Sequence, residues 1–436
     1  MAGLNSPVID NWNEGPEESD LYTCVHCGFC LQACPTYLET GLETESPRGR
    51  IALMKAVYEE RIPITPNVIR HWDMCIQCRA CEIACPSGVP YGRLIEATMG
   101  QVQPHRKQKF VNRIIYNLSL KKILINQNIL TVLFSLLKFY QKSGIQKVVR
   151  WLRILKMLPG NISELEASLP QIPNKFFTTT DGVQKAQIKK RAKVSLLTGC
   201  VMPLVHGPQM ESVVRVLNRN GCDVLTPVSQ SCCGAISSHV GDLETARNLA
   251  RTNIEAFMSQ DVDAIVVASA GCGIRMKEYG HLLKDDPDYS SRAFDMGKKV
   301  KDIHEFLVEL PIVVPTGNLK SVVTYQDSCH LANTQSITVQ PRQLLASIPG
   351  VNFVELPNSS ICCGGGGTYT ITEREMSLRV LESKMEAVAS TGADTIVTAN
   401  PGCLIQLEYG SRKIGLPIKV RYVTDLLDEA YLTEIS

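Results

Sequence analysis

The chain has 436 residues and a net charge of only +2, room for roughly two to four domains. Near-balanced charge argues against a nucleic-acid-coating protein. Its 17 cysteines, an odd number, do not suit a disulfide scaffold, which belongs to small secreted domains, so thiolates serving as metal ligands in a reducing compartment are expected.

The charges are unevenly distributed. Residues 1–47 hold eight acids and no Lys or Arg, whereas residues 97–163 hold twelve Lys or Arg and no acid. The opening MAGLNSPVIDNWNEGPEESD has neither a basic n-region nor an apolar h-region, so no secretory signal is expected.

Two cysteine runs follow. CVHCGFCLQACP places Cys24, Cys27, Cys30 and Cys34 before Pro35, and CIQCRACEIACP places Cys75, Cys78, Cys81 and Cys85 before Pro86. Both read Cys-x2-Cys-x2-Cys-x3-Cys-Pro, the bacterial ferredoxin run, in which the fourth cysteine of each motif ligates the other cluster. One 4Fe–4S cluster is therefore expected on Cys24, Cys27, Cys30 and Cys85, and a second on Cys75, Cys78, Cys81 and Cys34. Structural zinc is the alternative, but zinc motifs pair two close cysteines with two distant ones. Between the runs, Ile51, Met54 and Val57 recur at helical spacing and Pro63 ends the pattern, which predicts a helix. With that helix, residues 1–100 resemble the α-helical ferredoxin domain of the succinate dehydrogenase iron–sulfur subunit. Arg48 and Arg50 at its start are expected to be solvated, with neutralisation of cluster charge as the alternative.

Residues 101–190 are read as a basic amphipathic helical segment. Over 103–158 apolar clusters alternate with Lys and Arg, with a break near Ser143-Gly144. The longest uncharged stretch there, Ile123–Leu137, is short for a membrane span. Peripheral docking on an anionic membrane or an acidic partner is expected, against a linker whose charges merely face water. No nucleic-acid motif is present, so no nucleic-acid partner is expected.

The remainder is duplicated. KVSLLTGCVM parallels SVVTYQDSCHL, SQSCCGAISS parallels NSSICCGGGG, and DAIVVASAGCGI parallels DTIVTANPGCLI. Cys200 and Cys329 lie 129 residues apart, Cys232 and Cys362 lie 130 apart, and Cys272 and Cys403 lie 131 apart. One offset at three landmarks indicates a repeated domain, here 191–318 and 319–436. Each copy reads as α/β, with its cysteines at or beyond strand C-termini, where open parallel sheets bind ligands. Cys200, Cys232, Cys233 and Cys272 form one candidate cofactor site, and Cys329, Cys362, Cys363 and Cys403 the other. The alternative is that the paired cysteines are small core hydrophobes. Glycines after Cys363 are expected to make the turn that aims both thiols inward. Cys222 is read as structural and His330 as an ordinary histidine.

The whole chain resembles the iron–sulfur subunit of glycolate oxidase (glycolate dehydrogenase), on the ferredoxin pair and the two CCG cysteine-rich domains. The resemblance implies an α+β multidomain protein, with a di-cluster ferredoxin domain followed by a duplicated α/β domain. It also implies an electron-transfer subunit of a flavin-dependent complex, with no flavin in this chain and no catalytic residue assigned to it. Its partner would be an FAD-containing glycolate-oxidising subunit, its acceptor a membrane quinone, and its location the cytoplasm, peripheral to the membrane. Related family motifs end in Cys-x-x-Cys and bind a noncubane cluster. Here Arg275 and Gln406 replace the last cysteine, so the CCG content is open between a further iron–sulfur cluster and zinc. Three other functions stand beside this one: a stand-alone heterodisulfide or thiol–disulfide reductase, the iron–sulfur subunit of a glycerol-3-phosphate or lactate dehydrogenase, and a zinc-stabilised interaction module.

Overall fold

The computed structural model describes residues 15–106, 118–156 and 162–434. The start of the chain and parts of the basic segment, 107–117 and 157–161, lie outside the described residues.

The first domain is helical. Ser46 caps the helix Pro47–Tyr58 by accepting from the Gly49 amide, with Pro47 at its first position, where a missing N–H costs nothing. Ile51, Met54 and Val57 are buried as their spacing predicts, against Trp72, Leu94, Ile95 and Met99 from the helices Pro66–Asp73 and Tyr91–Val102. This core holds the two cysteine loops at one end.

The basic segment contains a π-turn at Ser119–Ile123 and the helices Gln127–Lys142, Ile145–Trp151 and Ile162–Ala167. The chain breaks at Gly144, which takes φ +87°, a conformation glycine adopts without strain. Glu166 ties the helices together, accepting from Gln146 and pairing with Arg150. The segment is not helical throughout: β1 (Thr180–Gln184) joins the next domain's sheet, antiparallel to β3 (Cys222–Thr226). A short polar strand carries too little apolar alternation to be read from sequence.

The repeats form two sheets. The first runs β1-β3-β2-β4-β5, with β2 at Ala192–Leu197, β4 at Ala264–Val267 and β5 at Val300–Asp302. The second runs β7-β6-β8-β9, with β6 at Ser321–Tyr325, β7 at Val351–Phe353, β8 at Thr395–Thr398 and β9 at Lys419–Tyr422. All pairings except that of β1 are parallel, so the order 3-2-4-5 recurs as 7-6-8-9. Val194, Leu196 and Val266 of one sheet share a single buried core with Val323, Tyr325 and Val397 of the other. The copies also exchange helices. Val423–Thr433, from the end of the second copy, packs on Gly207–Arg219 of the first. Ser212 donates to Asp425 at 2.7 Å and Arg215 pairs with Asp428 there. Reciprocally, Ile303–Glu309 of the first copy packs on Val339–Ala346 of the second.

Candidate metal centres

All seventeen cysteines are free. In the ferredoxin domain both loops take the same backbone path. His26 and Gln77, each just before the second cysteine, have φ +55° and +58°, and Gly28 and Arg79, each just after it, have φ +89° and +58°. Left-handed residues on both sides of one cysteine curl the loop into a nest whose amides face inward, and the Gln77 amide donates to Cys75 Sγ at 3.4 Å.

At the second loop Cys34, Cys75, Cys78 and Cys81 line one small pocket. The fourth cysteine of the first run thus joins the three of the second. Tyr91 donates to Cys75 Sγ at 3.6 Å and Thr36 Oγ1 lies 3.3 Å from Cys34 Sγ. Arg50 is 1% exposed, not solvated as expected at a helix start. Its guanidinium reaches Cys34 Sγ at 4.0 Å and pairs with Glu45 at 2.8 Å. Burial disfavours its charge, but Cys75, Tyr91, Cys34 and Glu45 outweigh that and raise its pKa. A buried cation beside thiolates suits an anionic cluster.

Cys24 and Cys30 lie near one another in the first loop, where burial raises the Cys30 pKa, while Cys27 is exposed. Cys85 packs with Cys24 and Cys30 against the same helical core. Lys55 and Arg48 donate to the carbonyls of Cys24 and His26. Val25 and Phe29 stand out into solvent at 67% and 69% exposure.

Each CCG copy gathers its four thiols beyond the strand ends. Neighbouring thiols influence one another's ionisation in the order Cys200, Cys232, Cys233, Cys272 in one copy and Cys329, Cys362, Cys363, Cys403 in the other. As free thiols all three of Cys329, Cys362 and Cys363 have raised pKa values: Cys329 through Cys362 and burial, and Cys362 and Cys363 because, against the lowering influence of Cys329 and Cys362 respectively, Cys363, Cys403 and burial push them up. Gly234 and Gly364 follow the pairs at φ +82° and +80° and make the same turn. A Cβ on Gly364 would lie 2.4 Å from the Ser377 carbonyl, and one on Gly366 would press on Ile76 of the ferredoxin loop at 3.3 Å. One glycine of the run therefore shapes the thiol loop, and another admits the neighbouring domain. Among the described residues no three metal-binding side chains close on one point as a single ion would require.

The two CCG sites differ in their surroundings. The second lies against the second ferredoxin loop: Ile76 and Cys78 share a buried cluster with Cys362, Tyr369 and Met376, and Cys329 packs on it. Asn333 donates to the Cys78 carbonyl, Tyr369 to that of Met74, and His330 Nε2 to that of Gln77. His330 is thus a docking residue, neutral because burial and nearby His239 take its pKa down to about 4. The first site's copy meets the ferredoxin domain through Gln77–His239 hydrogen bonds and through ions. Arg275, in the place of a lost cysteine, is buried on Glu96. Gln406, its counterpart, donates to Ser377. Cys222 is fully buried in the shared core. Sequence reasoning marked positions 275 and 406 as departures, but it did not foresee that one joins two domains.

The domains and thiol sites define an iron–sulfur protein: residues 20–89 match the 4Fe-4S dicluster domain model, and 194–277 and 323–408 match the cysteine-rich CCG model. Residues 111–169 match the linker region of the glycolate oxidase iron-sulfur subunit. The chain is 42% identical to the probable glycolate oxidase iron-sulfur subunit of Bacillus subtilis, covering 97% of each chain, and 30% identical to the glycolate oxidase iron-sulfur subunit of Escherichia coli, covering 95% of each. Lactate utilization protein A of Oceanobacillus iheyensis is 35% identical over 54% of this chain and 96% of its own. The chain belongs to the glycolate oxidase iron–sulfur subunit family.

Proposed function

We infer that the chain is the electron-carrying subunit of a glycolate-oxidising complex. It receives electrons from a separate FAD-containing subunit and delivers them toward a membrane quinone, while sitting peripherally on the cytoplasmic face. Cys24, Cys27, Cys30 and Cys85 hold one 4Fe–4S cluster, and Cys75, Cys78, Cys81 and Cys34 the other. Such clusters supply one-electron carriers whose potentials the protein sets through charge, hydrogen bonds and burial.

The observation that carries the reading is the packing of the second ferredoxin loop on Cys329 and Cys362. Arg50 balances thiolate charge there, Tyr91 and the Gln77 amide donate to Cys75, and Asn333 and His330 fix the loop on the second CCG copy. Four thiols in one region of each copy with no three closing on a single point, among the described residues, favour a polynuclear cluster over a single zinc ion in the CCG sites, because a cluster offers each thiolate a separate corner. The same packing counts against a stand-alone disulfide reductase. Cys362 and Cys363 are 2% and 0% exposed, and an attacking thiol needs both access and a thiolate form.

Cys78→Ala tests the reading. The variant is expected to lose about half of the ferredoxin-type iron and to stop reduction of a quinone analogue by glycolate in the purified complex. Full quinone reduction by this variant, or a tagged chain that co-purifies with no flavoprotein, counts against the proposal.

A further inference from the structure

Lys384 lies on the helix Arg374–Ser390 and is 3% exposed. Its ammonium donates to the carbonyls of Asn358 at 2.7 Å and Ser359 at 3.3 Å, in the loop that leads into Cys362. No carboxylate forms an ion pair with it among the described residues. Asp327, the carboxylate whose field it feels, is engaged by both terminal nitrogens of Arg342 at 2.9 Å. A buried charge without a partner is costly. The other groups acting on Lys384 are the thiols of Cys363, Cys362 and Cys403. Burial holds its pKa below the ordinary lysine value, only partly opposed by these thiols and Asp327. Its charge is balanced when those thiols are ionised, which is the form that ligates metal.

The first copy lacks this cation. The offset of 131 that relates Cys272 to Cys403 brings Lys384 onto Asn253. Asn253 is also fully buried and also holds the thiol loop, donating to the Cys232 carbonyl and accepting from the Ser231 amide. The same loop-holding task is thus done by a neutral amide in one copy and by a cation in the other. Arg275, a buried cation that interacts with Cys233 of the first site, is balanced by Glu96 and Glu278.

We propose that Lys384 is the built-in counter-cation of the second cysteine set, a positioning residue that makes this set, rather than the first, the electron-accepting one. The proposal rests on the electron-transfer reading above. The acceptor would be an iron–sulfur cluster held by these thiolates, and each electron that arrives from the adjoining ferredoxin loop, supplied by the partner flavin, would reduce one ferric site and add one negative charge to that cluster. A fixed positive charge at that point raises the reduction potential.

The test uses the full chain, purified without oxygen and reduced stepwise with dithionite, with the centres followed by electron paramagnetic resonance. The signal of the second set is identified as the one that Cys362→Ser removes. Lys384→Gln keeps a donor for Asn358 without the charge, Lys384→Arg keeps the charge, and Lys384→Met removes both. The Gln and Met variants are expected to shift that signal's midpoint to lower potential, and the Arg variant to hold it, with ferredoxin signals and circular dichroism unchanged. A Gln variant with the wild-type midpoint overturns the proposal, as does an Arg variant shifted as far as the Met variant. A wild-type chain with no Cys362-dependent signal overturns it too. Dithionite needs no flavoprotein, so failure of glycolate to reduce the chain would sink the functional reading and leave the midpoints measurable.

Discussion

Gly364 shows how much of the cysteine chemistry depends on backbone that no other residue can follow. It has φ +80°, and the Ser377 carbonyl occupies the place of a Cβ. Gly364→Ala is expected to cost about 2 kcal/mol, from left-handed strain and the clash together, as a lowered thermal-unfolding midpoint, and to reduce metal retention at Cys362 and Cys363. The glycine run itself foretold this turn. Lys384 was not legible, and the charge-balancing role of Arg50 stood only as an alternative to a solvated one, because what buries each of them lies far away in sequence: Cys75 and His71 for Arg50, the CCG loop for Lys384. Glu408, on the helix Pro401–Ile414, is a residue with a cost. Burial pushes its carboxyl up to about 7, against the pull of Arg412. A folded pKa above the unfolded one means that the native state holds the proton longer. Stability therefore falls as pH rises from about 4.5 through about 7, by up to about 3 kcal/mol. Glu408→Gln is expected to raise the unfolding midpoint at pH 8 and to leave it nearly unchanged at pH 4.5. Equal effects at both would refute this.

The linker helices carry a feature that belongs to whole elements. Ile129, Val132, Leu133, Leu136 and Phe139 stand exposed along Gln127–Lys142, and Ile145, Val148 and Trp151 along Ile145–Trp151, with Trp151 80% exposed. Contiguous exposed apolar surface of this kind marks an interaction site, and exposed Lys142, Lys147 and Arg153 lie beside it. No described helix is long and apolar enough to cross a membrane, so the stripe suits a helix lying in the interface. Each basic residue near an anionic surface contributes about 1 kcal/mol, screened over about 8 Å at physiological salt. The chain is expected to sediment with anionic vesicles at low salt, and Phe139→Glu with Trp151→Glu to abolish this. If the protein stays in the supernatant at low salt, an acidic protein surface becomes the better partner. The alternation of basic and apolar residues, and the break at Gly144, announced these helices in the sequence. The stripe's exposure was not announced, since an amphipathic face covered by the protein has the same pattern.

At the scale of the whole molecule, the ferredoxin domain is not a detachable module. Ile76 and Cys78 share one buried cluster with Tyr369, Met376 and Cys362, and Arg70 pairs with Glu373 across the same boundary. A fragment of residues 1–100 reconstituted without oxygen is therefore expected to hold the cluster of the second loop less durably than the full chain. Iron retention after dilution measures this, and equal half-lives would show that the interface adds nothing. The near-constant offset of 129 to 131 residues between cysteine landmarks made the duplication plain, whereas the strand order was not read from it and is a finding of the structure. The exchanged helices were not foreseeable, because an amphipathic helix fits its own sheet or its neighbour's with the same pattern of apolar residues.

The interlocking of two copies within one chain has a further consequence. Two identical subunits joined this way would be bound by symmetry, and any change beside one thiol set would appear beside the other. Joining the copies end to end lifts that constraint. Asn253 and Lys384, Arg275 and Gln406, and the ionic and apolar contacts with the ferredoxin domain are differences that only a fused pair can keep. The repeat supplied two equal sites, and the peptide link between them allowed the sites to become unequal.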